Sequence, residues 1–443
     1  VYILFMRFLV WTFLIFITVS QSIASEAIPG PRDCFWLRGP FSSDPYINVA
    51  YPDSNVYYWA AVFSMPEGSN LELKGDYPYS RYMSFVSYDE GGRPIESLAD
   101  YLITSDSQNP FIAGNNRLNF ERSYSINVIN ESPSNERTAG EISKDQSGNV
   151  LHTPEYLNKQ QLIVYRVYLP DKNKGVDGGV ELPKPSLTLS DGSKLIGDDA
   201  CKFLKTKQRL QISFDALGIK PDLYRELITQ PDKPDTWPAH NPPKWFIQLD
   251  RKSLIGMYTG DIDPDAPRSE GGFYPNLDNH YIRTILNRKH GKVLIVRGKA
   301  PTTPLTYNNK ETLEEAELRY WSLCSNQSFA NTRVNDCLFD EEIPLAPNGF
   351  YTIAISRAED RPRNAIKECG IAWLPMADDG DGMFDDDVTI IQFRHMLASK
   401  DFNHAIQRVM KQDELESVMG PYMPKTRYLM PNQVETIFPC DIN

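Results

Sequence analysis

A mainly β chain, made of two tandem jelly-roll-like antiparallel β-sandwich modules each followed by a helix, is what three observations predict. The sequence repeats itself, its strand-like runs are short and separated by turn residues, and its helix-like segments fall after each copy. Tyr51-Pro52 returns as Tyr274-Pro275, 223 residues on. At that spacing Tyr58 meets Tyr281, Leu71 meets Leu294, Gly75 meets Gly298 and Pro78 meets Pro301. The spacing then steps to 238, setting Arg81-Tyr82-Met83-Ser84 on Arg319-Tyr320-Trp321-Ser322, and settles at 227 to 228, where Tyr124 meets Tyr351 and Arg166 meets Arg394. Spacings that hold through blocks and jump between them are what loop insertions leave. A period this long denotes paired domains rather than a solenoid.

The elements follow in order. Met6-Arg7 and the apolar run Phe8 to Val19, trailed by Ser22, Ala24 and Ser25, read as a signal peptide over 1–24. That run is shorter than the ~20 apolar residues that span a bilayer. The first module is set at 30–195. Its strands are Val56 to Met65, Arg81 to Tyr88, Tyr124 to Val128 and Leu162 to Leu169, rich in Tyr, Phe, Val and Ile and bounded by Gly, Pro, Asn or Ser. A helical and proline-rich linker occupies 196–256, with a helix over Gly197 to Gln211 and an extended path over Gln230 to Pro243. The second module, 257–443, has strands over Tyr281 to Leu286, Lys292 to Val296, Glu317 to Cys324, Phe350 to Ser356 and Val388 to Met396. A closing helix is set over Phe402 to Met419, with Ala405, Ile406, Val409 and Met410 on one face.

Composition limits the function classes. Fifty-eight acidic against 46 basic residues, a net charge of -12, exclude an electrostatic nucleic-acid binder, whose domains show a basic face. Six cysteines in an exported chain point to disulfides. Cys324 and Cys337 suit a local bridge, Cys34 and Cys440 a bridge between the ends, and Cys201 with Cys369 is what then remains. No metal-ligand spacing of Cys or His is present, so zinc is not expected.

Two groups of residues are candidate sites. Arg81 shares a strand face with Met83 and Phe85. With Arg319, Arg166 and Arg394 it offers guanidinium groups that bind anions bidentately. The competing reading is that such repeated arginines pair with buried carboxylates and serve the fold. Asp89, which follows the strand Arg81 to Tyr88, has no equivalent in the second copy, where Ser325-Asn326 stands opposite Tyr88-Asp89. The loop Asp378 to Asp387 supplies carboxylates on a glycine-containing turn, and Asp378, Asp379, Asp381 and Asp385 are candidate calcium ligands. Met383 stands where an EF-hand would place a ligand. Asp261-Ile262-Asp263-Pro264-Asp265 is a second, weaker acidic cluster. Nucleophilic catalysis lacks a G-x-S-x-G elbow, and the six histidines are scattered.

The blocks Arg81 to Asp89, Asn109-Pro110-Phe111, Arg319 to Cys324 and Gly370 to Pro375 resemble those of a group of uncharacterised exported bacterial proteins with duplicated β-sandwich modules. The resemblance implies a jelly-roll-like fold and a periplasmic or extracellular location. It brings no activity. The function expected is therefore ligand binding, of a small molecule or glycan, or a structural role in the cell envelope, with no nucleic-acid partner and no membrane span once the signal is cleaved. The alternative is an extracytoplasmic hydrolase or lyase working in a cleft between the modules. No cofactor beyond calcium is expected.

Overall fold

Strand pairing in the computed structural model repeats between the two halves of the chain. The model describes residues 34–43, 48–133, 149–213, 217–263 and 273–440, so the signal segment and Asp265 lie outside the described residues. The first half contributes β1 (Arg38–Phe41), β2 (Val56–Phe63), β3 (Asn70–Asp76), β4 (Ser80–Tyr88), β5 (Pro94–Ala99), β6 (Ser123–Ile129), β7 (Val150–His152), β8 (Gln161–Pro170), β9 (Lys184–Thr188) and β10 (Lys194–Ile196). The second contributes β11 (Phe246–Ile247), β12 (Asn279–Asn287), β13 (Val293–Lys299), β14 (Leu318–Asn326), β15 (Val334–Phe339), β16 (Phe350–Ser356), β17 (Ala372–Pro375), β18 (Val388–Ala398) and β19 (Lys425–Leu429). The sheet orders are β1-β2-β8-β4-β5 and β10-β9-β3-β6-β7 in the first half, and β11-β12-β18-β14-β15 and β17-β16-β13-β19 in the second. Each strand of the second half occupies the place of its counterpart in the first. The fold is mainly β, and its pairings are antiparallel except β6 with β7 and β16 with β17, which run parallel at the same place in both halves.

Each half is a sandwich because each sheet has an apolar face to hide. In the first half Trp59, Phe63, Met83, Phe85, Ile163 and Tyr165 of one sheet meet Leu71, Leu73, Tyr124, Ile126 and Leu187 of the other. In the second, Ile282, Trp321, Leu323, Ile391 and Phe393 meet Leu294, Val296, Ile353 and Ile355. The opposite faces of the β1-β2-β8-β4-β5 and β11-β12-β18-β14-β15 sheets are also covered. Val56, Tyr82 and Tyr168 of the first half pack on Tyr320, Phe339 and Met396 of the second. This is why all nine residues of β4 are buried. A strand enclosed on both faces reads as a continuous apolar run rather than an alternating one.

Some of what the copies share is now explained by packing. Gly75 pairs across the ladder with Tyr124, and Gly298 with Tyr351. A Cβ on Gly75 would come 3.0 Å from the Tyr124 hydroxyl, and one on Gly298 would come 2.7 Å from that of Tyr351. Each ring lies over a glycine of the neighbouring strand, so neither position takes a side chain.

Three expectations are corrected. The helix set over Gly197 to Gln211 is confined to α1 (Asp198–Phe203), and Lys205, with φ of 52°, stands just beyond its end. The helix set over Phe402 to Met419 is a series of tight turns followed by α4 (Leu415–Met419). Ala405, Ile406 and Val409 are buried all the same, and Met410 is exposed. Apolar spacing gave burial correctly there but not conformation. Conversely, the region set at 196–256 holds α2 (Pro221–Ile228) and α3 (Arg251–Thr259). Proline starts α2, and a capping box between Asp250 and Ser253 starts α3. A fifth short helix, α5 (Pro431–Ile437), follows β19.

The disulfides are Cys34–Cys201, Cys324–Cys337 and Cys369–Cys440. The local bridge joins directly opposed residues of β14 and β15. The expected Cys34–Cys440 and Cys201–Cys369 pairs do not form, because each half closes on itself. Cys34 ties the approach to β1 to α1 at the end of the same half, and Cys440 ties the segment after α5 to the turn before β17.

Candidate functional site

The repeated arginines lie where the sheet holding β4 meets the sheet holding β14, and two of them cross that contact reciprocally. Arg81 at the start of β4 reaches into the second half, where its Nη1 donates to both oxygens of Asp340 at 2.8 and 2.9 Å, its Nη2 to Glu341 and its Nε to Thr306. Arg319 at the start of β14 reaches into the first half, with its Nη1 3.4 Å from Asp100. Each guanidinium also approaches the other's main chain: Arg81 Nη1 lies 3.5 Å from the Arg319 carbonyl, and Arg319 Nη1 3.4 Å from that of Arg81. The two carboxylates match as well. Asp100 accepts from the Met83 amide at 2.9 Å and Asp340 from the Trp321 amide at 3.2 Å, the same position in each copy. This arrangement is the intramolecular counterpart of a two-fold dimer contact. Burial pushes the Asp100 carboxyl up to about 7 against the pull of Arg319, and burial also raises that of Asp340.

The second pair of arginines breaks the symmetry. In both halves a three-strand row sets Tyr, Arg and Ser side by side: Tyr58, Arg166 and Ser84 in the first, Tyr281, Arg394 and Ser322 in the second. Arg394 is ion-paired through its Nη1 with Asp53, a residue of the first half. Asp53 also accepts from the Ser322 and Tyr320 hydroxyls at 2.7 and 3.0 Å. At the position 223 residues after Asp53 stands Asn276, an amide. Arg166 accordingly forms no ion pair among the described residues. Its Nη2 donates to the Tyr88 hydroxyl and, at 2.9 Å, to the Tyr274 carbonyl, and its Nη1 is buried without a partner. The rings of Tyr58 and Tyr88 flank it, each 5.5 Å from the guanidinium carbon.

A further arginine escaped the sequence reading. Arg283, on β12, occupies the place of Ala60. Gln392 beside it occupies that of Val164, and Cys324 that of Val86. What is an apolar stretch of sheet in the first copy is therefore polar in the second. Arg283 is 3% exposed, its Nε donates to Gln392 Oε1 at 2.7 Å, and its Nη1 has no partner. The rings of Tyr51, Phe329 and Tyr281 surround it at 5.2, 5.5 and 5.8 Å. Burial pulls the guanidinium down to about 10. The repeat that drew attention to Arg81 hid Arg283, because only a position-by-position comparison of the copies shows it.

The remaining candidates are distributed through the structure. Asp89 closes the β4–β5 turn, accepting from the Gly91 and Arg93 amides at 2.8 and 2.9 Å and from Arg93 Nε at 2.8 Å. In the acidic loop, Asp381 points inward. One oxygen accepts from the amides of Met383, Phe384 and Asp385 at 2.7, 2.7 and 3.1 Å, and the other from the Tyr224 hydroxyl of α2 at 2.9 Å. Asp379 accepts from Gln327 at 2.6 Å, Asp385 accepts from the Asp387 amide at 2.9 Å, and Asp378 is exposed. Calcium needs six to eight oxygens converging on one point, whereas no three of these carboxylates have oxygens within 4.8 Å of one another. Among the described residues that spacing is met by Asp53, Cys324 and Cys337, and the two cysteines are bonded to each other.

No protein-family model matches the sequence, and no curated protein matches it. Two solved structures are similar to the chain at low identity and low TM-score. An uncharacterised protein from Burkholderia cenocepacia is 11% identical, with 90% of this chain and 84% of that chain covered and a TM-score of 0.44. The VPA0106 protein from Vibrio parahaemolyticus is 12% identical, with 85% and 90% covered and a TM-score of 0.39.

Proposed function

We propose that this chain is an exported binding protein that holds a small ligand at the polar contact between its two halves. The observation that carries the reading is Arg166: a buried guanidinium with an unpartnered Nη1, in the one copy of the Tyr-Arg-Ser row that lacks an acidic partner. Leaving a buried charge without its partner costs about 3–5 kcal/mol, and a ligand group that pairs with it offsets that cost. Export is supported by the three disulfides, which persist in oxidising compartments. Among the described residues no helix is long and apolar enough to cross a membrane.

The hydrolase or lyase alternative asks for an arginine and a perturbed carboxylate that face a substrate. Burial pushes both Asp100 and Glu342 up to about 7; Asp100 has no exposed surface and is covered by Arg319, and the half-buried Glu342 accepts from the Phe339 amide at the start of its own turn. The geometry therefore favours binding over turnover. A thermal-shift screen of the full chain with metal ions, glycans and small organic acids tests the reading, because a ligand of the folded state raises its melting temperature. At least one glycan or acid is expected to give a saturable rise that Arg166→Met weakens. Failure of every class to do so contradicts it.

A further inference from the structure

We infer that Arg283 is an anion site for a small carboxylate, and that this site belongs to the second copy alone. The inference rests on the binding reading above and gives it a ligand class. Three observations meet here. First, the guanidinium is almost wholly buried, forms no ion pair among the described residues and leaves Nη1 unused. Second, the rings of Tyr51, Phe329 and Tyr281 lie 5.2, 5.5 and 5.8 Å from its guanidinium carbon, an apolar surround for a fork of N–H groups that matches the two oxygens of a carboxylate. Third, the first copy has Ala60 and Val164 at the equivalent positions, so the sheet has no structural need of a charge there.

Tyr281 shares a face of β12 with Arg283, two residues away. Tyr281 is only partly buried, and its ring lies beneath both Arg283 and Arg394, 5.8 and 5.3 Å from their guanidinium carbons. Arg394 is held by Asp53, so it adds positive potential without offering a free fork. Gln392 fixes Arg283 through Nε, and Nη1 is left without a partner. The apolar rings around the fork favour a carboxylate with a compact hydrophobic body over a hydrated inorganic ion.

Benzoate and its neutral isostere benzamide are the probes, with the melting temperature of the full chain as readout. Benzoate is expected to raise it saturably, by about 3–5 °C at a hundredfold excess over Kd, and benzamide to leave it unchanged. Arg283→Met should abolish the benzoate shift and leave the ligand-free chain as stable as wild type or more so, since a hydrophobic side chain replaces an unpaired buried charge. Arg283→Lys, which keeps the charge and loses the fork, should weaken binding at least tenfold; it serves if the methionine variant does not fold. Arg427→Met, at an exposed position, is the control and should retain the full shift. Equal effects of benzoate and benzamide, or a benzoate shift that survives in Arg283→Met, overturn the assignment. A glycan that stabilises wild type and Arg283→Met alike would leave the binding reading standing and remove only the carboxylate site.

Discussion

Arg81 shows how a residue conspicuous in the sequence acquires its meaning from distant chain. Its place on a strand with Met83 and Phe85 was legible, and so was its repetition as Arg319. Its partners were not, because Asp340 and Glu341 follow β15 in the other half and nothing local to Arg81 points to them. Arg81→Met leaves two acidic groups facing a buried gap and should lower stability by about 3–5 kcal/mol in urea unfolding. A cost below 1 kcal/mol would contradict the reciprocal contact. His395 gives a second prediction at this scale. Burial depresses it to about 3, and its Nδ1 accepts from the Ile406 amide at 3.2 Å. The folded state therefore binds this proton more weakly than the unfolded chain, whose histidine titrates near 6.5. Its contribution to stability is fully present above pH 6.5 and is lost as the pH falls from there toward 3. His395→Gln should flatten the acid side of the stability profile; an unchanged slope between pH 6.5 and 4 would refute the buried neutral ring. Asp100 works in the opposite sense. Its raised folded-state pKa stabilises fully below about pH 4 and fades as the pH rises toward 7.

At the level of elements, strands were legible and short helices were not. A run such as Val388 to Met396 carries its own signal, since β-branched and aromatic residues suit a pleated surface, and the structure extends it only to Ala398. α2 and α3 are each under ten residues, too short for apolar periodicity to separate from the surrounding prolines. Their caps were nevertheless written in the sequence at Pro221, Asp250 and Ser253. In the acidic loop, whose composition suggests calcium, the fold uses one carboxylate as an acceptor for its own amides. Gly380 and Gly382 have φ of 57° and 69°, and a Cβ on Gly380 would fall 2.2 Å from the Asp386 carbonyl. Asp381→Ala leaves three amides and the Tyr224 hydroxyl without their acceptor and should cost about 2–4 kcal/mol. Removal of calcium with EDTA should leave the melting temperature unchanged; a drop that calcium reverses would restore the metal reading. Loss of the Cys369–Cys440 bridge, by Cys369→Ala with Cys440→Ala, should cost about 2–4 kcal/mol. The loss of hydrogen-exchange protection should be confined to β19 and α5, and equal loss in β4 and β8 would count against that placement.

For the molecule as a whole, the repeat specifies two sandwiches and the differences between its copies specify a site. The described residues fall in one unit, built so that each half completes the other's buried charges: Asp340 answers Arg81, Asp100 answers Arg319 and Asp53 answers Arg394. Neither half can keep these charges satisfied alone. The two-copy plan was legible because spacing survives where identity does not. The crossing of charges was not, because it depends on which sheet faces meet. Scanning calorimetry of the full chain at pH 7 tests this most directly. A single transition in which calorimetric and van't Hoff enthalpies agree is predicted for wild type, and a lower transition that broadens or splits for Arg81→Met combined with Arg319→Met. Two separate transitions in the wild-type chain, each unaffected by the substitutions in the other half, would contradict it.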